Sequence, residues 1–108
     1  MRILLDECVD ERLRRYFIGH ICQSCRYANL RELANGQLLA AAESAAFHVL
    51  VTVDKNMAYQ QNLLARAITV VTLDARSPSF EDLVLLMPDV LEELQRLKPG
   101  TVVRVAGR

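Results

Sequence analysis

Two short stretches of the chain run from apolar residues straight into carboxylates. Leu4 and Leu5 lead into Asp6 and Glu7, and Leu50, Val51, Thr52 and Val53 lead into Asp54 and Lys55. Asp74 ends a third such run, within TLDA. Two carboxylates about 5 Å apart repel by roughly 3 kcal/mol at an effective dielectric near 20. One of them then holds a proton, or a cation sits between them. Hard oxygen donors in an aqueous cleft suit Mg²⁺ or Mn²⁺. A metal so placed activates water and stabilises charge on a phosphate. The chemistry on offer is that of an acidic divalent-cation site. Asp6, Glu7 and Asp54 are the candidate catalytic and metal-holding residues, with Asp74 as a further ligand. Lys55, with Arg12 and Arg15, is placed to contact neighbouring phosphates.

Each acid also has a plain reading, because aspartate favours turns and caps helices. The arginines read equally well as a solvated helix face. What favours chemistry is the pairing of strand-end acids. His20 and His48 both precede strands, so they belong at the opposite edge from the acids and are not general bases. Cys22 and Cys25 form a CxxC with no second pair. They read as small buried apolar residues rather than a zinc site. No Gly-rich phosphate loop is present, and no strand-to-helix serine suggests a nucleophile elbow.

The elements that must position these acids are legible from periodicity. Arg2 to Leu5 reads as a buried strand. Val9, Leu13, Tyr16 and Phe17 recur at helical spacing, which predicts an amphipathic helix from Asp10 to Ile18, stopped by Gly19. His20 to Ser24 reads as a second strand and Tyr27 to Ala34 as a loop. Asn35 is a plausible N-cap for a helix to Ala46. His48 to Val53 is the clearest strand, Lys55 to Leu64 a short polar helical piece, and Ala67 to Leu73 a β-branched strand. Ser79 with Asp82 resembles a capping box. Pro88 should kink or divide the helix that follows. Its second half runs to Leu97, Pro99-Gly100 ends it, and Thr101 to Val105 is the last strand. Strands alternating with helices predict a mostly parallel sheet covered on both faces. Ligands of such sheets bind at the carboxyl ends of the strands, where the acids lie.

Composition sets the outer bounds. The chain has 108 residues, 52% hydrophobic and 24% charged. That is the size of one domain, residues 1–108, with a moderate core. Its 13 basic and 13 acidic residues balance. It is therefore no strongly cationic nucleic-acid binder, and phosphate contacts must come from local clusters or a metal. No apolar run approaches the roughly 20 residues of a membrane helix, so no membrane partner is expected. Acids follow at once on the first apolar run, which is unlike a signal peptide, and three cysteines do not suggest a disulfide framework. A cytoplasmic protein is expected.

The residues also resemble a known family. MRILLDE at the start, GH at 19–20, VLVTVDKN ending at Asn56, and SPSFEDL from Ser77 resemble, in order, a family of small PIN-like proteins. The likeness spans nearly the whole chain and is most specific at LLDE (4–7) and VTVDKN (51–56). It implies a PIN-like three-layer α/β/α domain with a mostly parallel sheet of about five strands. It further implies a Mg²⁺-dependent ribonuclease, the toxin of a toxin–antitoxin pair, neutralised by a small antitoxin-like protein. Asp6 and Asp54 match the family's central acids, Glu7 its adjacent acid and Lys55 its following basic residue. Two positions depart from the pattern: Asn35 and Asn56 stand where such proteins carry acids. Asparagine keeps an oxygen but loses the charge, which weakens a cation site. Asp74 would offset part of that loss. The alternatives are a weakened PIN-like protein whose role is binding, and a receiver-like domain phosphorylated on Asp54. The apolar stripe from Leu83 to Leu97 looks wider than one sheet face requires, which admits a homodimer or an antitoxin contact.

Overall fold

β1 (Arg2–Leu5) forms where Ile3, Leu4 and Leu5 make an unbroken apolar run. It is followed by β2 (Ile21–Ser24), β3 (Val49–Thr52), β4 (Thr69–Asp74) and β5 (Val102–Ala106). The structure, a computed structural model, describes residues 1–57 and 66–107. All strand pairings are parallel, and the order across the sheet is β2-β1-β3-β4-β5. The fold is α/β, as the alternation of elements predicts. β3 lies at the centre and is buried at every position. A strand covered on both faces has no need of polar alternation, which is why VLVT reads as a continuous apolar run.

The pleat divides the core in two. Ile3, Leu5, Val49, Val51, Val71 and Leu73 face one side, where they meet Leu13, Phe17, Leu83 and Val90. Leu4, Leu50 and Val70 face the other, against Leu38, Leu39, Ala42 and Phe47. Cys22 packs against the first cluster and Cys25 belongs to the second. The CxxC sulfurs thus turn to opposite faces of the sheet, and burial pushes both thiols up to about 12. They serve as small apolar residues.

The segment expected as an α-helix from Asp10 to Ile18 is a 3-10 helix, Glu11–Tyr16. Its Leu13 N–H bonds to the Asp10 carbonyl at 3.0 Å, a three-residue step. The Asp10 carboxylate accepts from the Arg12 N–H, also at 3.0 Å. A side chain that takes an early amide tightens a short first turn, and runs this short favour 3-10 geometry. Gly19, at φ +85°, then turns the chain into β2.

Helix α1 (Asn35–Ser44) starts one residue earlier than an Asn35 cap implies. Ala34 holds the cap position, and its N–H is satisfied by the Gln37 side chain at 3.2 Å. At the other end Ala46 adopts φ +65°. The Ala46 N–H bonds to the Glu43 carbonyl and the Phe47 N–H to the Ala42 carbonyl, both at 3.0 Å. That pattern is a Schellman motif, whose left-handed residue is usually glycine. Ala46→Gly is therefore expected to raise stability by about 0.5–1 kcal/mol, the strain of a left-handed alanine less the extra freedom of glycine in the unfolded chain. Urea denaturation measures it, and a loss of stability would show that Ala46 is unstrained.

Pro88 divides the late helix as expected, into α2 (Phe80–Val84) and α3 (Met87–Leu94). It lies in the first turn of α3, where a missing N–H removes no helical bond. Ser79 caps α2 by accepting from the Asp82 N–H at 3.4 Å. α3 ends at Leu94 rather than Leu97. The apolar stripe proposed for a partner is consumed inside the molecule. Leu83, Leu86, Met87, Val90 and Leu94 are buried in the first cluster, and Val84, Leu91 and Leu97 pack against it. Among the described residues no helix is long and apolar enough to cross a membrane. Most of the helical piece expected from Lys55 to Leu64 lies outside the described residues.

Candidate functional site

β1 and β3 are parallel neighbours, so their carboxyl ends share one edge of the sheet. The chain goes from β1 to one side, into β2, and returns past β1 to β3 on the other. The strand order thus reverses at β1 and β3, and the carboxyl ends at such a point are where open parallel sheets bind ligands. Asp6 follows β1 directly and Asp54 lies two residues beyond β3.

Asp6 is fixed first through its backbone, whose N–H bonds to the Val51 carbonyl at 2.9 Å and continues the β1–β3 ladder. Its carboxylate accepts from the Glu7 N–H at 2.8 Å through Oδ1 and from the Thr52 hydroxyl at 2.7 Å through Oδ2. The same Thr52 Oγ1 accepts from the Asp54 N–H at 3.0 Å. One buried hydroxyl therefore ties the Asp6 carboxylate to the backbone of Asp54. Asp54 Oδ1 accepts from the Asn56 N–H at 2.9 Å, which closes a turn and orients that carboxylate. The Cys8 sulfur lies 3.5 Å from Asp6 Oδ2 and 3.6 Å from Thr52 Oγ1. Burial there raises its thiol above the ordinary value, and the Asp6 charge adds to the rise.

Thr52 is the residue that sequence reasoning missed. The signal was present: a lone hydroxyl at the end of a fully apolar strand, two residues before an aspartate. Its removal has a definite consequence. Thr52→Val keeps the shape, strips a donor from a carboxylate, and leaves the buried Asp54 N–H without its acceptor. That is expected to cost about 2–3 kcal/mol, with Thr52→Ser restoring most of it. Urea denaturation of the three proteins checks this; a valine variant as stable as wild type would mean the hydroxyl holds nothing.

The other candidates are placed differently. Glu7 reaches away from Asp6, and its carboxylate accepts from the Glu32 N–H, pinning the loop that follows β2. Asp74 is held between two cations. Lys55 Nζ lies 2.7 Å from Oδ1, and Arg104 donates to Oδ2 from Nε at 2.7 Å and from a terminal nitrogen. Lys55 is thereby drawn to Asp74 rather than left open to a phosphate. Arg12 pairs with Asp10 at 2.8 Å and lies over the Phe80 ring at 4.3 Å. Arg15 is exposed on the 3-10 helix. Asn35 is half-buried at the start of α1, and Asn56 is exposed beside Asp54. The histidines lie at the amino edge of the sheet, as expected. His48 Nδ1 accepts from the Arg2 N–H at 3.0 Å, and His20 Nδ1 lies 3.3 Å from the terminal ammonium.

Lys55 first, and Arg104 second, hold the Asp74 carboxyl below its ordinary value of 3.8. A depressed folded-state value means that the unfolded chain takes up the proton first on acidification. The ion pairs therefore contribute fully above about pH 3.8 and fade as pH falls through the lower, folded value. Asp74→Asn should destabilise at pH 7, with a gap in Tm from wild type that narrows steadily below about pH 4. Melting curves across that range test it, and a gap that widens on acidification contradicts it.

Among the described residues, no group of three or more His, Cys, Asp or Glu side chains is arranged to hold a metal ion. Asp6, Asp54 and Thr52 offer only oxygen donors. Mg²⁺ is commonly held by one or two carboxylates, with waters and substrate phosphates in its other places. The donor set fits that mode and does not form a closed protein cage.

Fold and site together define an open parallel α/β protein with aspartates after the two strands at which its strand order reverses. No family model, no curated protein and no solved structure matches the chain.

Proposed function

We propose that this protein hydrolyses phosphodiester bonds in RNA, using Mg²⁺ or Mn²⁺ at the crevice between β1 and β3. The supporting observation is the Thr52 hydroxyl that ties the Asp6 carboxylate to the Asp54 backbone. A divalent ion bound there supplies an activated water and a counter-charge for the phosphate. Asp6 and Asp54 would hold the ion. Thr52 fixes the orientation of Asp6, and the Asn56 N–H fixes that of Asp54. Glu7 steadies the loop that follows β2, and Asp74 pairs with Lys55. Asn35 and Asn56 offer oxygen without charge and lower the affinity for the ion. The resemblance to PIN-like proteins supports RNA as substrate. It also supports a cytoplasmic toxin controlled by a small antitoxin-like partner.

The test is cleavage of a labelled RNA with Mg²⁺ and with chelator, alongside melting curves. Mg²⁺ at ten times its Kd should add about 1.4 kcal/mol of stability, a rise of several degrees in Tm. Cleavage that survives chelation would place the activity elsewhere. No change in Tm at millimolar Mg²⁺, with no cleavage, favours a binding protein that retains only the outline of the site. The absence of a three-ligand group among the described residues supports that second reading. The strand order also occurs in phosphoacceptor receivers. Here, though, Lys98-Pro99 precedes the last strand, and Lys55 is engaged by Asp74. Failure of Asp54 to take phosphate from a small phosphodonor closes that possibility.

A further inference from the structure

The 3-10 helix and the open edge of β2 enclose a groove of about 610 Å³, away from the Asp6–Asp54 crevice. Arg14 and Arg15 line it from the helix, and Tyr27 from the loop after β2. Among the described residues neither Arg14 nor Arg15 is in a salt bridge, whereas Arg12 is held by Asp10 and Glu11 lies 3.8 Å from Arg26. Tyr27 is 77% exposed, a large ring left in water on the β2 side of the groove, across from the arginines of the 3-10 helix. The groove is not isolated. Glu11 and Ser24 line it and also line a second cavity of about 340 Å³, whose wall includes Asp6 and Glu7. A continuous surface thus runs from the β2 edge to the acid that begins the candidate site.

Two unpaired guanidinium groups beside an exposed ring suit a polyanion whose bases are free to stack. Guanidinium groups take phosphates, and a tyrosine face takes an unstacked base of any identity. A duplex hides its bases from such a ring. A second copy of the chain would bring the same arginines against each other, which like-charge repulsion disfavours. We infer that this groove is the track along which single-stranded RNA enters the crevice, with Arg14 and Arg15 on phosphates and Tyr27 against a base. The inference rests on the RNA reading of the site, but it can be tested without cleavage.

A fluorescent twelve-nucleotide oligouridylate is titrated with the protein in chelator over a range of salt. For single strands the slope of log K against log salt is about −0.7 per phosphate engaged. Arg14→Ala/Arg15→Ala should therefore flatten the slope by about 1.4 and weaken binding. Tyr27→Ala should weaken binding roughly fivefold or more at every salt concentration, with the slope unchanged. All three side chains are exposed, so matching melting curves confirm intact folds. A wild-type slope in the double variant overturns the track. So does equal, equally dependent binding of a duplex of the same length. A polyglutamate peptide bound with the same reliance on Tyr27 would instead make the groove a protein-docking surface. RNA binding that behaves as expected without Mg²⁺-dependent cleavage leaves the track standing and removes the hydrolysis reading. Cleavage that is indifferent to the three substitutions does the reverse.

Discussion

Asp6→Asn and Asp54→Asn are each expected to lower Mg²⁺-dependent RNA cleavage by about 10²–10³-fold. The figure follows from several kcal/mol of charge stabilisation, at about 1.4 kcal/mol for each factor of ten. Asparagine at position 6 retains an oxygen to accept from the Glu7 N–H, but its amide nitrogen can only donate towards the Thr52 oxygen, so the Thr52 hydroxyl loses its acceptor. Asparagine at position 54 retains the oxygen that accepts from the Asn56 N–H. At position 54 only the charge goes, so the loss should appear in rate and in the Mg²⁺-induced rise in Tm, not in the Tm of the metal-free protein. At position 6 the metal-free Tm should also fall modestly, because the Thr52 hydroxyl loses its acceptor. Glu7→Gln should act less, because that carboxylate is directed at the Glu32 backbone. Initial rates at saturating Mg²⁺, with metal-free melting curves as the control, measure all three. Rates for the position 6 and 54 variants within threefold of wild type would end the case for this crevice as the reaction centre.

The contrast between these residues shows what a linear reading can reach. The places of Asp6 and Asp54 just after β1 and β3 were legible because a buried parallel strand is apolar throughout, and its carboxyl end is the first place where a charge finds water. β1 was bounded correctly for the same reason. The division at Pro88 and the Ser79 cap follow from local stereochemistry, which sequence carries directly. The role of Asp74 was not legible. Its partner Arg104 lies on β5, and Thr72 rather than Asp74 is the direct register mate of Arg104. The pair exists only once strand order and stagger are known. Glu7 was read as a ligand because it adjoins Asp6, yet its direction is set by the Glu32 amide, 25 residues away. Thr52 was hidden by being a good strand former. Its hydroxyl acquires meaning only when β1 and β3 are adjacent. The 3-10 helix was masked because apolar spacing alone does not distinguish two short helical geometries that bury the same side chains.

Leu50→Ala is expected to destabilise the fold by about 3–4 kcal/mol, near the middle of the range for fully buried leucines. Leu50 has no exposed surface and lies in the central strand, in register with Leu4 on β1 and Val70 on β4. All three face the second cluster, where Leu39 and Phe47 close over them. Truncation there removes apolar contact and leaves a cavity between two packed layers. A sheet held by hydrogen bonds on both sides cannot easily collapse to fill it. For a domain of this size the loss corresponds to a fall in Tm of more than about 12 °C. The same change at Ile21, 57% exposed on the edge strand β2, should cost well under about 1 kcal/mol. The effect on the site follows from the register. Leu4↔Leu50 is two residues short of the Asp6–Thr52 contact, so loosening that pair lets the two carboxyl ends slide. Cleavage should therefore fall in the Leu50 variant even well below its Tm. A Leu50→Ala protein that loses less than about 1 kcal/mol, or keeps full activity, would mean that the acids are positioned by their own loops and not by the β1–β3 pairing.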